Sequence, residues 1–345
     1  MPIGIVETHD LIKVVSTRHA PTSYFLDNFF REVHLSDSEY IDFDIVDRGR
    51  RLAPFVAPTA QGKPLLQQGY ATRKFKPAYI KPKDMVDPAR LFRRQPGEMF
   101  AGELTPAQRE DAIIADILQT HREAIERRWE WLAARAVIDG AVTISGEDYP
   151  PMSLSFGRDA SLSKNLTGSN RWDQSGVNVL KDIEDWKIEV HRKSGYSPTR
   201  MTMGLNAWRA FIAKQEVKDM LDTRRGSSNA LETGPGKGLP FEYRGSLGSA
   251  GLEIYTYNDI YEDESGTAQP FMDQDTILLT SPAVDGVRAF GAIMDKKAGW
   301  RATPFFPKMF EQEDPSAVYL MTQSAPLMIP TRPNATLKAK VLNAS

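Results

Sequence analysis

Cysteine is absent from this 345-residue sequence, which excludes disulfides, thiolate zinc sites and a cysteine nucleophile. Histidine is scarce. The five that occur, His9, His19, His34, His121 and His191, include no HExxH and no pair four residues apart, the spacing that sets two imidazoles on one helix face. A metal site is therefore not expected, and surface or partly buried rings are. No run approaches the roughly 18 apolar residues of a membrane span, and Met1 to Asp10 has no cationic flank ahead of an apolar stretch. Neither membrane insertion nor a signal peptide is expected, and use inside a cell follows from that reading. With 41% hydrophobic and 26% charged residues, the chain is ordinary globular material, long enough for two or three compact units.

Charge of one sign is missing over long stretches, although the net charge is only −2. From Gly251 to Val287 there is no Lys or Arg, while Glu253, Asp259, Glu262, Asp263, Glu264, Asp273, Asp275 and Asp285 are acidic. From Arg48 to Arg94 there are twelve basic residues, among them Arg48, Arg50, Arg51, Arg73, Lys74, Lys76, Lys81 and Lys83, against only Asp84 and Asp87. Six prolines and three glycines punctuate the same segment, so a long helix is impossible there. An extended two-stranded excursion with a turn near Gln61-Gly62-Lys63-Pro64 is expected, and it must lie on something, because a lone hairpin is marginal in water.

Ahead of that ribbon, Tyr24 to Phe30 reads as a short helix and Tyr40 to Val46 as a strand. The strongest local signal comes after it. Thr105, Pro106 and Gln108 form an N-cap with a capping box, and Ile114, Ile117, Leu118, His121, Ile125, Trp129, Leu132 and Ala136 recur at three- and four-residue spacing up to Gly140. One helix from Pro106 to Asp139, about 50 Å long, follows. Beyond it, strands are expected at 142–145 and 152–156, then a polar connector at 161–176. A mixed α/β region comes next: helices 178–193 and 206–218, and strands 200–205, 251–258, 275–281 and 286–293 forming one sheet. Strands at 318–322, 327–329 and 336–341 are expected to return to the first region.

Catalytic patterns fail one by one. Gly234-Pro235-Gly236-Lys237-Gly238 lacks the first Walker glycine, where Leu231 stands, and has Gly238 where Ser or Thr is required. Asp259 to Gly266 is acidic but lacks the calcium-loop spacing, and reads as a solvated hairpin tip. No G-x-S-x-G elbow occurs. The basic ribbon is compatible with nucleic acid, with Tyr70, Phe75 and Tyr79 as stacking rings. Protein contact is the favoured reading, because a basic projection and an acidic segment in one chain suit a subunit that finds copies of itself.

Four ordered segments then carry a family likeness: Phe29-Phe30-Arg31-Glu32, Tyr79-Ile80-Lys81-Pro82-Lys83, Leu221-Asp222-Thr223-Arg224-Arg225-Gly226-Ser227 and Gln323-Ser324-Ala325-Pro326-Leu327-Met328. They resemble the matching segments of lambda-type major capsid (head) proteins of tailed bacteriophages. The resemblance implies an α+β fold of the Hong-Kong-97 type, with an N-terminal arm (1–47), an extended β-hairpin loop (48–94), a peripheral domain with a spine helix (95–174), an axial domain (175–299) and a return to the peripheral domain (300–345). It also implies a non-enzymatic shell subunit of the virion, assembled in the host cytoplasm from hexamers and pentamers, with no cofactor and no metal. Its partners would be copies of itself, a decoration protein at threefold positions, scaffolding and portal proteins, and packaged double-stranded DNA held non-specifically. The candidate contact residues are Arg48, Arg50, Arg51, Arg73, Lys74, Lys76, Lys81, Lys83, Arg224, Arg225, Glu262, Asp263 and Glu264. Lys63 near the ribbon tip is not expected to form the isopeptide link some relatives make. The alternatives are an encapsulin-type nanocompartment shell and, more remotely, a nucleotide- or metal-dependent enzyme.

Overall fold

The computed structural model describes residues 23–46, 52–53, 55–59, 61, 70–86, 105–146, 149–222, 230–231, 239–248, 250–312 and 317–342. The spine is a single helix, Pro106–Ile138, opened by the full capping box between Thr105 and Gln108 with Pro106 in its first turn. Its other end is closed by a side chain from elsewhere. Arg158 donates to the carbonyls of Val137 and Ile138, at 3.2 and 2.7 Å, two acceptors that a helix C-terminus leaves without intrahelical partners. Gly140 at φ +65° turns the chain away, and a Cβ there would lie 2.7 Å from the Arg158 side chain. Burial pushes the Arg158 guanidinium down to about 10, still charged at neutral pH.

Two cores hang on this rod. Its first half presents Ile113, Ile114, Ile117 and Leu118 to Val86, Met309 and Leu320, on a three-stranded sheet ordered Phe306–Gln312, Ala317–Gln323, Lys83–Val86. The second half packs Ile125, Trp129 and Leu132 against Phe290 and the arm helix Tyr24–Phe29. That short helix buries Tyr24, Phe25, Leu26 and Phe29, each contributing about 2 kcal/mol of apolar burial, which far exceeds what six helical residues contribute by propensity.

The axial region is a seven-stranded mixed sheet in the order Ser163–Asn165, Thr336–Lys340, Thr276–Thr280, Arg200–Met203, Leu252–Tyr257, Phe241–Leu247, Ala230–Leu231. Its inner strand Thr276–Thr280 is buried at every position, as a strand covered on both faces must be. Helix Val179–Ser194, capped by Asn178 and ended by Gly195 at φ +90°, lays Val179, Ile183, Trp186 and Val190 on the sheet.

Several expectations are corrected by this topology. The connector 161–176 is not merely polar: it supplies the edge strand Ser163–Asn165 and Trp172, which is 1% exposed and stacks on Trp186 at 5.9 Å. The helix expected at 206–218 is two, Leu205–Ala213 and Gln215–Asp222, because Lys214 adopts extended backbone between them. Gly286–Phe290 leaves the axial sheet and pairs in parallel with arm strand Phe30–Leu35 and antiparallel with Pro326–Ile329. Thr336–Lys340 does not return to the peripheral region but runs between Ser163–Asn165 and Thr276–Thr280. His121 is neither exposed nor half-buried: it is 1% exposed.

Candidate inter-subunit surfaces

Strand Ile41–Val46 pairs antiparallel with Tyr70–Phe75 over six residue pairs, so the ribbon starts inside the segment read as the arm. The expected turn at 61–64 and Arg48, Arg50 and Arg51 lie outside the described residues. Arg73 stands opposite Phe43 in the ladder and Lys74 opposite Asp42. The Lys74 ammonium is 3.6 Å from Asp42 with both side chains more than half exposed, a pair worth little in water. Lys76 donates to Glu39, and that hydrogen bond raises the lysine above its ordinary value. Further along, Lys81 rides 4.9 Å over the Tyr79 ring and Lys83 rides 4.0 Å over Tyr319, so these two cations are steered by aromatic faces. Arg224 and Arg225 lie outside the described residues.

The acidic candidates sit on one hairpin, Ile260–Glu262 with Ala268–Pro270, and they divide by role. Asp263 accepts from the Ser265 and Thr267 amides and the Ser265 hydroxyl, and these bonds hold its carboxyl below the usual range. It builds the tip. Glu262 and Glu264 point to solvent, with Glu264 at 4.0 Å from Arg128 of the spine. Between this hairpin and the spine opens a cleft of about 930 Å³ lined by Tyr79, Arg127, Trp131, Tyr149, Tyr261 and Glu264, among others. The hairpin's acids and the ribbon's Lys74 and Lys76 are not brought together within the chain, since the two lysines take Asp42 and Glu39.

Two junctions were not singled out from the sequence. Glu130, 3% exposed on the spine, accepts the backbone N–H groups of Phe25 (2.8 Å) and Leu26 (3.0 Å) and the Tyr257 hydroxyl (3.4 Å). One carboxylate thus caps the arm helix and joins arm, spine and axial sheet. Burial pushes it up to about 7 despite the two amide donors. Tyr24 completes the joint through Thr202 of the axial sheet at 2.7 Å. At the peripheral end, His121 bonds Thr322 (3.1 Å) and Asp84 (3.0 Å). Burial lowers the imidazole against the pull of Asp84, so at neutral pH this contact is a hydrogen bond of a neutral ring. A carboxylate and an imidazole within a buried helical stripe were the available signals, but their partners come from distant segments. Among the described residues no cluster of three metal-ligating side chains occurs, and no helix is long and apolar enough to cross a membrane.

The sequence profile of the family described as phage major capsid protein E aligns with residues 7–341. The chain is 30% identical over 318 residues to the major capsid protein of Escherichia phage lambda, covering 90% of this chain and 91% of that one. With the major capsid protein of Enterobacteria phage P21 the identity is 30% over 346 residues, covering 98% and 100%. A solved capsid protein from a prophage of E. coli CFT073 matches with a TM-score of 0.75 at 23% identity, covering 99% of this chain and 100% of that chain, a likeness of fold.

Proposed function

The chain belongs to the phage major capsid protein E family, and from that premise we propose how its surfaces serve assembly. It is a major capsid protein of the Hong-Kong-97-type α+β fold, a structural subunit of the phage head shell. In our reading, subunits meet as hexamers and pentamers, and the ribbon of one lies across the next, where Arg73 and Lys74 with the other ribbon cations meet acids of the neighbour. Arg48, Arg50, Arg51, Arg224 and Arg225 belong to the same contact set, as do Glu262 and Glu264. A decoration protein at threefold positions, scaffolding and portal proteins, and non-specifically held duplex DNA complete the partners, with assembly in the host cytoplasm.

The observation that carries this reading is the ribbon itself, a two-stranded ladder without a third strand among the described residues. Such a ladder is marginal alone, and its open edges are templates for another chain. Replacing Arg73 and Lys74 by Glu tests it. The subunit is expected to keep its circular dichroism and melting temperature while negative-stain microscopy shows no shells; shells at the wild-type yield would sink the assignment. The nanocompartment alternative has less support, since the relatives reported above are capsid proteins of phages and prophages.

A further inference from the structure

The loop from Ala292 to Ala302 displays a half-exposed aromatic side chain. Trp300 has φ +62° and is 55% exposed. For a bulky L-residue the left-handed region is an outlier costing roughly 1–2 kcal/mol, and a half-exposed indole recovers only part of its burial energy. Met294, 49% exposed, adds a second apolar side chain to the same loop.

The loop is nonetheless firmly built. Ala292 and Ala302 close it as a bridge, the Ile293 amide donates to the Arg301 carbonyl at 3.0 Å, and the Ala302 amide donates to Asp37 of the arm at 2.8 Å. Asp295, with its side chain 10% exposed, accepts from the Lys297 amide (2.8 Å), Lys308 (2.6 Å) and Gln323 (3.2 Å). The Tyr79 hydroxyl donates to the Ala292 carbonyl at 2.5 Å and accepts the Met294 amide at 2.7 Å. A rigid scaffold holding a strained, exposed tryptophan is the arrangement that retains strain for a contact.

The charges around it point to the occupant. Lys296, Lys297 and Arg301 are exposed and make no ion pair with an acid of their own chain among the described residues. The hairpin at 260–270 has the complementary character: Ile260, 55% exposed, stands between Asp259 and the outward Glu262 and Glu264. Apolar residues flanked along one loop by cations match an apolar residue flanked along one hairpin by carboxylates, of which Glu264 lies 4.0 Å from Arg128 of its own chain. Duplex DNA would satisfy the cations alone, because its bases are stacked away from a tryptophan.

We infer that Trp300 with its basic loop is an inter-subunit anchor that seats on the acidic hairpin around Ile260 of a second copy of this chain. This rests on the shell reading above and names the partner surface. The test has two arms on the full chain. Trp300→Gly is expected to leave the melting temperature of the soluble subunit unchanged or raised, since strain is relieved, while shell yield by sedimentation and microscopy falls at least about tenfold, the effect of losing a single hot-spot residue. In the second arm, the absence of cysteine makes Lys297→Cys and Glu262→Cys, two exposed neighbours that leave Trp300 and Ile260 in place, clean probes. Mixed shells of the two single variants should give disulfide-linked dimers on oxidation, and shells of either alone should not. Wild-type yield from Trp300→Gly, or mixed shells that form without dimers, would overturn the anchor. Shells of Trp300→Gly that form normally but hold less DNA would overturn it in favour of a nucleic-acid contact. Failure of the wild-type chain to form shells would instead count against the shell reading itself.

Discussion

At the scale of single residues, the fold is joined by ionisable side chains with opposite pH behaviour. The Glu130 carboxyl, raised by burial to about 7 from an ordinary 4.5 and faced by Asp27, Asp259 and Tyr257, binds its proton more tightly in the folded state. Its contribution to stability is therefore largest below about pH 4.5 and is lost as pH rises toward 7, at roughly 1 kcal/mol per unit. His121 has the opposite sign: its lowered pKa means stability is lost as pH falls below the ordinary imidazole value. Glu130→Gln should flatten the slope of melting temperature between pH 5 and 7; an unchanged slope would refute the role given to this carboxylate. Glu130→Ala leaves the Phe25 and Leu26 amides without their carboxylate, and is expected to cost on the order of 3 kcal/mol in urea unfolding. Neither this acid nor its partner was marked by the sequence, because Phe25 is 105 residues away and nothing local specifies that meeting.

At the scale of elements, what was readable depended on how local the cause was. Thr105, Pro106, Gln108 and Gly140 mark the spine with short-range chemistry, and the helix runs where they put it. The strand Ser163–Asn165 and the burial of Trp172 were missed because both depend on Thr336–Lys340 and Trp186 arriving alongside. The end of the spine offers a controlled comparison between two glycines in left-handed backbone. Gly140→Ala must strain its φ of +65° and also displace Arg158, which holds the last spine carbonyls. A loss of about 2–4 kcal/mol is expected. Gly168→Ala, at φ +59° with nothing within 4 Å of a Cβ, should cost only about 1 kcal/mol. Equal shifts in the urea midpoint would remove Arg158 as the closing cap.

At the scale of the whole molecule, the family could be read from four short segments, whereas the division of the chain into units could not, since 300–345 serves two regions. Ala317–Gln323 braces the peripheral sheet and Thr336–Lys340 enters the axial one. Removing residues 330–345 should therefore damage the axial region most. Thr276–Thr280 would lose its partner on one side and Ser163–Asn165 its only one among the described residues, so a fall in soluble yield and loss of amide protection at 276–280 are expected in hydrogen exchange; retained protection would contradict the topology. The same interleaving sets a schedule for biosynthesis. Arg200–Met203, Leu252–Tyr257 and Thr276–Thr280 emerge from the ribosome before the strand that completes their sheet, and at 5–20 residues per second the wait from Arg200 to Thr336 is on the order of ten seconds. During that interval a nascent subunit has no finished axial face to offer. The sheet closes around Thr276–Thr280 only once translation has passed residue 340.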